Sequence, residues 1–247
     1  TSAALATGEF AEADGLAVGV LQSMLAPLSG ATANFTNSGS FTVTARATSE
    51  GTEGAVAGSE AGGYVAEGEP LALAVVNSGT LTVNAVTNSD GAAYALAGGM
   101  GFLAEVDPTT FPPEEGGCGN GNGGGGTGGG GEIVVAAEEE EDPWEGWTNL
   151  ISGSVVNSGT LAVTATANGG DLGEMVGVLD IGHASADAVG IYFSSAVNTA
   201  TLTNSGTIRV SAVSNGAPVE ATGILVETFD VSPVVPGEGQ GMTIANN

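Results

Sequence analysis

Apolar and polar residues alternate in the same order along four stretches of the chain. They read Asn37-Ser-Gly-Ser-Phe-Thr-Val-Thr-Ala, Asn77-Ser-Gly-Thr-Leu-Thr-Val-Asn-Ala, Asn157-Ser-Gly-Thr-Leu-Ala-Val-Thr-Ala and Asn204-Ser-Gly-Thr-Ile-Arg-Val-Ser-Ala. Counting from each Asn, the fourth residue is Phe41, Leu81, Leu161 or Ile208, the sixth is a Val and the eighth an Ala. Polar residues fall between them, with Thr42, Thr82, Ala162 and Arg209 in one row and Thr44, Asn84, Thr164 and Ser211 in the next. Period two with β-branched residues predicts strands that bury one face and wet the other. A taper from large to small, kept in every copy, predicts that the strands stack with like side chains in line, as in the coils of a solenoid.

The copies begin 40, 80 and 47 residues apart, so the middle interval holds one period and an insertion of similar size. A fifth copy starts at Met242-Thr-Ile-Ala-Asn246-Asn247. Two more strands complete each unit. One precedes the Asn, as in Ala33 to Asn37, Ala74 to Asn77, Ser154 to Asn157 and Thr201 to Asn204. The other follows by about 15 to 20 residues, as in Gly54-Ala-Val56, Ala93 to Leu96, Gly177-Val-Leu179 and Gly223-Ile-Leu-Val226, with Gly190-Ile-Tyr-Phe193 as an irregular extra. Three strands per repeat predict an all-β, right-handed parallel β-helix of about five coils. Residues 1–106 form its first part, 107–147 a Gly- and Glu-rich insertion and 148–247 its second part, in one solenoid domain. Positive φ values at the corners are expected of the Asn and Gly there. Asn37, Asn77, Asn157 and Asn204 should hydrogen-bond from coil to coil in a ladder. None of the nine prolines falls in an Asn-Ser-Gly strand, as expected because proline cannot donate to a sheet.

Charge narrows the partners. Lys and Arg number 2 against 28 Asp and Glu, for a formal charge of −26. Arg46 and Arg209 cannot build the cationic patch that a phosphate backbone requires, and an anionic lipid surface repels the chain. Hydrophobic residues make up 42 %, which excludes the profile of a disordered chain. Leu16 to Leu28 and Gly91 to Ala104 are shorter than the ~20 residues of a membrane-spanning helix. The chain starts at Thr1 with no basic and apolar leader, so it reads as a mature chain whose signal peptide is removed or lies outside it. Eleven of the acids lie between Glu105 and Glu145, around a run with 12 Gly among the 16 residues from Gly116 to Gly131. This segment is expected to be a solvated, self-repelling excursion, or a contact arm in which Trp144 and Trp147 anchor a neighbour. The rest is expected to be a neutral solenoid with charged loops, its acidity keeping fibres apart or recruiting cations.

Candidate chemistry is sparse, and the chain is read as a non-enzyme without a cofactor. A lyase needs a basic residue to take a proton, yet Arg46 and Arg209 stand at different strand positions. Glycoside hydrolysis needs two carboxylates converging within about 10 Å, and the Asn-Ser-Gly strands carry none on their outer face. His183 lacks ligand-spaced companions for zinc, and Cys118 has no partner in the chain. The glycine run lacks the Lys and Ser or Thr of a phosphate loop. Structural calcium is the one ion considered, at Glu138, Glu139, Glu140, Glu141 and Asp142 or at Asp171 with Glu174, since hard cations take carboxylate oxygens. The Thr rows resemble the flat arrays of ice-binding solenoids but are broken by Asn84 and Arg209.

The Asn-Ser-Gly-Thr-Leu-Thr-Val unit, over Thr32 to Ala104 and Leu150 to Asn247, resembles the β-helical passenger repeats of autotransporters and other large bacterial surface proteins. The resemblance implies an exported, elongated surface fibre or adhesin. No membrane-barrel translocator is present, which implies a fragment or another export route. The expected function is an extracellular structural subunit of a filament or surface layer, stacking head to tail with copies of itself through open ends that include Asn246 and Asn247. A monomeric adhesin that binds glycan or a cell-surface protein is the alternative, and a polysaccharide-active enzyme the third reading.

Overall fold

A computed structural model describes residues 1–24, 31–68, 70–104, 150–170, 184–215, 219–228 and 242–246. The insertion at 107–147, with Cys118, Glu138 to Asp142, Trp144 and Trp147, lies outside these residues, as do Asp171, Glu174, Gly177 to Leu179, His183 and Asn247.

The described residues are all β, with no helix. In chain order the strands are β1 (Ser2–Met24), β2 (Ala31–Asn37), β3 (Ser40–Gly68), β4 (Leu71–Asn77), β5 (Thr80–Ser89), β6 (Ala92–Ala104), β7 (Leu150–Asn157), β8 (Thr160–Asn168), β9 (Ala184–Ser195), β10 (Val197–Asn198), β11 (Thr201–Asn204), β12 (Thr207–Ser214), β13 (Val219–Thr228) and β14 (Thr243–Asn246). Every pairing is parallel. The strands form three stacks, each five tiers deep. The first face runs from the start of β1 through the first half of β3 to β5, β8 and β12. The second runs from the rest of β1 through the second half of β3 to β6, β9 and β13. The third holds β2, β4, β7, β11 and β14, with β10 beside the start of β7. Strands on either side of the insertion pair directly, β4 with β7 and β5 with β8.

The repeats align as the alternation demands. Phe41, Leu81, Leu161 and Ile208 share one row, Val43, Val83, Val163 and Val210 the next, and Ala45, Ala85, Ala165 and Ala212 a third. Their inner members are fully buried. The taper has a tertiary cause: the first and second faces converge like the sides of a wedge. At its thin end the fillers are Ala47, Ala57, Ala93, Ala95, Ala167 and Ala186, all buried. Buried hydroxyls join the two sides there. Ser49 Oγ donates to the Ala11 carbonyl at 2.7 Å. Thr87 Oγ1 donates to the Tyr94 carbonyl at 2.7 Å, which leaves the Ser59 hydroxyl to donate to Thr87 at 2.6 Å. At the broad end, against the third face, the interior takes Leu71, Leu73, Val75, Ile151, Val155 and Leu202 and an aromatic column. Phe35 stacks on Tyr64 with ring centroids 4.4 Å apart, Tyr64 meets Phe102 edge-on at 6.0 Å, and Phe102 meets Phe193 at 4.9 Å.

Two expectations need correction. The first and second faces are not always separate strands, since β3 runs unbroken from Ser40 to Gly68 through both. The corner glycines also lack positive φ, which among the described glycines at a left-handed angle belongs to Gly153, at +92°. Close approach is what requires glycine at the corner. A Cβ on Gly79, Gly159 or Gly206 would collide with the carbonyl oxygen of Gly39, Gly79 or Gly159 in the preceding tier.

Candidate functional site

Among the described residues the corner ladder is a polar construction repeated at every tier. A tight corner after the third face turns each Asn side chain inward, where Asn37, Asn77, Asn157 and Asn204 are all buried. Asn37 Nδ2 donates to Asn77 Oδ1 at 2.8 Å, Asn77 to Asn157 at 2.8 Å, Asn157 to Asn204 at 2.7 Å and Asn204 to Asn246 at 2.8 Å. The backbone repeats the step. The Asn37 carbonyl accepts from Ser78 N at 2.8 Å and Gly79 N at 2.9 Å, and those of Asn77 and Asn157 accept likewise from the next Ser and Gly. Asn77, Asn157 and Asn204 each give one proton forward and take one from behind, and Asn37 Oδ1 accepts from Gly39 N at 3.2 Å, so a buried polar column is satisfied without charge. The fifth copy joins this column through Asn246.

A second ladder escaped the sequence. Gly19, Gly63, Gly99, Gly190 and Gly223 occupy one position on the second face, each followed by an inward apolar residue: Val20, Tyr64, Met100, Ile191 and Ile224. The strand pleat slips at this point, since Gly99 and Met100 are adjacent yet both buried. A Cβ at Gly19, Gly63, Gly99 or Gly190 would collide with the carbonyl of the next glycine in the column and crowd the Val and the large apolar residue of the first face opposite. Gly190-Ile191, expected to be an extra, is therefore the regular member. Ala93 to Leu96 instead pair with Ala57 to Glu60, out of step with Gly223. The Gly-apolar dipeptide was the available signal, but its distance from each Asn varies.

The outer surfaces differ in charge. On the first face the stretches Ser40–Thr48, Thr80–Asn88, Thr160–Asn168 and Thr207–Ser214 contain no acid and both arginines of the chain. Arg46 and Arg209 are exposed there. On the second face Glu12, Asp14, Glu60, Asp187 and Glu220 stand on outward strand positions. The expectation that acids keep to loops and the insertion is thus corrected. Tyr94 lies over Gly58, where a Cβ would strike its ring, and its hydroxyl donates to Asp14 Oδ1 at 2.8 Å. That bond raises the Tyr94 pKa above the ordinary value, helped by burial and by the charges of Asp14, Glu12 and Glu60. Leu16 (60 % exposed), Tyr94 (47 %) and Leu96 (44 %) form apolar ground among these acids. Tyr64 is inside, its hydroxyl donating to Gln22 Oε1 at 2.6 Å, and burial pushes its pKa to about 12.

Among the described residues no three His, Cys, Asp or Glu side chains group as a metal site, and no helix is long and apolar enough to cross a membrane. Ser195 Oγ and Asn198 Nδ2 are buried without hydrogen-bond partners among the described residues, while Asn198 Oδ1 accepts from Ala200 N at 3.1 Å. No family model, curated protein or solved structure matches the chain.

Proposed function

We propose that the chain is a right-handed parallel β-helix serving as an extracellular structural subunit, which builds a surface filament or layer by stacking solenoid ends. The supporting observation is the constancy of the step between tiers. The corner amides meet at 2.7 to 2.8 Å at all four steps, so a further tier with the same repeat adds the same bonds. The outermost ladder members match this reading. Gly39 and Gly223 face open space at the Cβ position, where the inner members of the two columns meet a neighbouring carbonyl. Ile208, Val210, Ala212 and Ile224 point inward but are only partly buried. An edge left partly open among the described residues is a template for another strand, and stacking whose rotation does not close gives a fibre.

The extracellular placement rests on the likeness of the repeat unit to bacterial surface proteins, and labelling of intact producing cells with an impermeant reagent tests it. Electron microscopy of the purified protein across salt and calcium concentrations tests the assembly. Rods that lengthen by whole subunits are expected, and monodisperse monomers under every condition refute it. A monomeric adhesin is the second reading, favoured by the exposed Leu16, Tyr94 and Leu96 ground on the second face. A glycan array positive for a monomeric species would select it.

A further inference from the structure

We propose that the outer first face, the one that carries both arginines, docks side by side on the acidic second face of another copy, with solenoid axes parallel. The pairing does not depend on end-to-end stacking. Its basis is the unequal division of charge: a chain of −26 places both of its arginines on the first face, where Ser40–Thr48, Thr80–Asn88, Thr160–Asn168 and Thr207–Ser214 lack acids, and Glu12, Asp14, Glu60, Glu67, Asp187, Glu220 and Glu227 on the strands of the second.

The spacing of these charges fits. Arg46 shares its row with Val86, Thr166 and Val213. Arg209 is therefore three tiers on and four residues toward the strand start. At ~4.8 Å per tier and ~3.3 Å per residue, that is a displacement of about 14 by 13 Å. Glu12 shares its row with Val56 and Ala92, while Asp187 shares one with Leu16, Glu60, Leu96 and Glu220. Asp187 is thus three tiers on from Glu12 and four residues toward the strand end. Seen from outside, all faces of one solenoid run the same way round. When two faces meet with axes parallel their strands oppose, and a step toward the start of one lies over a step toward the end of the other. Arg46 then falls on the partner's Glu12 and Arg209 on the partner's Asp187, with Glu60 between. In the same register Leu16 lies over Thr42, Tyr94 over Thr164, Leu96 over Ala162 and Val86 over Val56.

Area and field are adequate. Four strands of about nine residues cover about 550 Å², so two copies bury about 1,100 Å² together, above the ~1,000 Å² of a specific contact. The remaining acids repel over longer range, and the Debye length of ~8 Å near 0.15 M salt screens them more than charges in contact. Pairing therefore strengthens as salt rises from ~0.01 to ~0.15 M.

Chemical coupling reads the contact directly. The chain has no lysine, so Arg46→Lys with Arg209→Lys keeps the charge and introduces two side-chain amines. Carbodiimide treatment of an equal mixture of ¹⁵N-labelled and unlabelled copies should yield mixed-isotope peptides joining position 46 to Glu12 and position 209 to Asp187. Sedimentation should show side-by-side pairs and larger lateral oligomers of the wild-type protein at ~0.15 M salt. Arg46→Glu with Arg209→Glu, and separately Glu12→Arg with Asp187→Arg, should weaken pairing at least tenfold, and mixing the two variants should restore it. All four positions face outward, and circular dichroism checks that the variants keep the fold. The proposal is overturned by wild-type protein without lateral pairs, by pairing indifferent to the reversals, or by failure of the mixture to restore it. Retention of unpaired wild type on immobilised alginate through Arg46 and Arg209 would also overturn it, giving the face another occupant. Lateral association adds width and end stacking adds length in micrographs, so failure of one leaves the other readable; because first face meets second face, the lateral contact leaves one free face of each kind and continues beyond a pair.

Discussion

Gly98 and Gly99 are chain neighbours whose replacement by alanine should have opposite consequences. Gly98 points outward, and a Cβ there meets nothing within 4 Å. Gly99 points inward, where a Cβ would lie 2.9 Å from both Leu161 Cδ1 and Val163 Cγ2 and would collide with the Gly190 carbonyl. The side chains can give a few tenths of an ångström. The carbonyl cannot, because it belongs to the neighbouring strand in a column pinned from Gly19 to Gly223. Overpacking costs about 1 to 3 kcal/mol when neighbours can shift, and a backbone obstacle places Gly99→Ala at about 3 kcal/mol. Gly98→Ala gains about 0.5 kcal/mol by restricting the unfolded chain. With a urea slope near 2.5 kcal/mol per molar for a chain of this size, the midpoint should fall by about 1.2 M for Gly99→Ala and barely move for Gly98→Ala. Urea titration followed by circular dichroism measures both. Hydrogen exchange at β6 and β9 should show the loss concentrated there, because each tier touches only its neighbours. Equal midpoints for the two variants would refute the account of the glycine column.

The amide ladder gives a second expectation. Asn77→Ala leaves Asn37 Nδ2 and Asn157 Oδ1 buried without partners, which costs about 3 kcal/mol at ~1 to 3 kcal/mol per group, whereas Asn246→Ala at the outer tier costs about 1 kcal/mol; denaturant midpoints compare them. Asp14→Asn should bring the Tyr94 pKa down toward the ordinary tyrosine value in a spectrophotometric titration, since the bond to Asp14 is its largest cause. No change would mean that the bond does not form in solution. Tyr64 contributes stability that is complete below the unfolded tyrosine value near pH 10 and is lost as pH rises through its folded value of about 12, so alkaline unfolding should occur in that window and Tyr64→Phe should shift it upward. Ser195→Ala removes a buried hydroxyl that has no partner among the described residues and should leave stability within about 0.5 kcal/mol of the parent or raise it.

The alternation in the Asn-Ser-Gly strands was enough to establish strand, buried face, register and the amide ladder. The reason is local. Only Ser and Gly separate Asn37 from Ser40, or Asn77 from Thr80, so corner and strand keep a constant offset that a repeat makes visible. The second face enters each tier after a connection of changing length. Gly63 follows Asn37 by 26 residues, Gly99 follows Asn77 by 22, Gly190 follows Asn157 by 33 and Gly223 follows Asn204 by 19. One column in space is therefore four unrelated intervals in the chain, and spacing alone assigned it to Gly177 rather than Gly190.

Glycine at the corner was legible as a requirement but not in its cause, because a carbonyl of the preceding tier is no part of the local sequence. The wedge likewise depends on two faces meeting: Ala47 and Ala57 are small because each is the other's wall. Charge divides the same way. The acids of β1, β3, β9 and β13 stand far apart in the chain, and the coiling gathers them onto one surface and both arginines onto another. What the sequence determined by itself is the repeating strand and its corner, where every partner is set by a short, constant step. What tertiary structure alone decided is which faces oppose and which charges share a surface, because those neighbours are brought together only after loops of unequal length have closed.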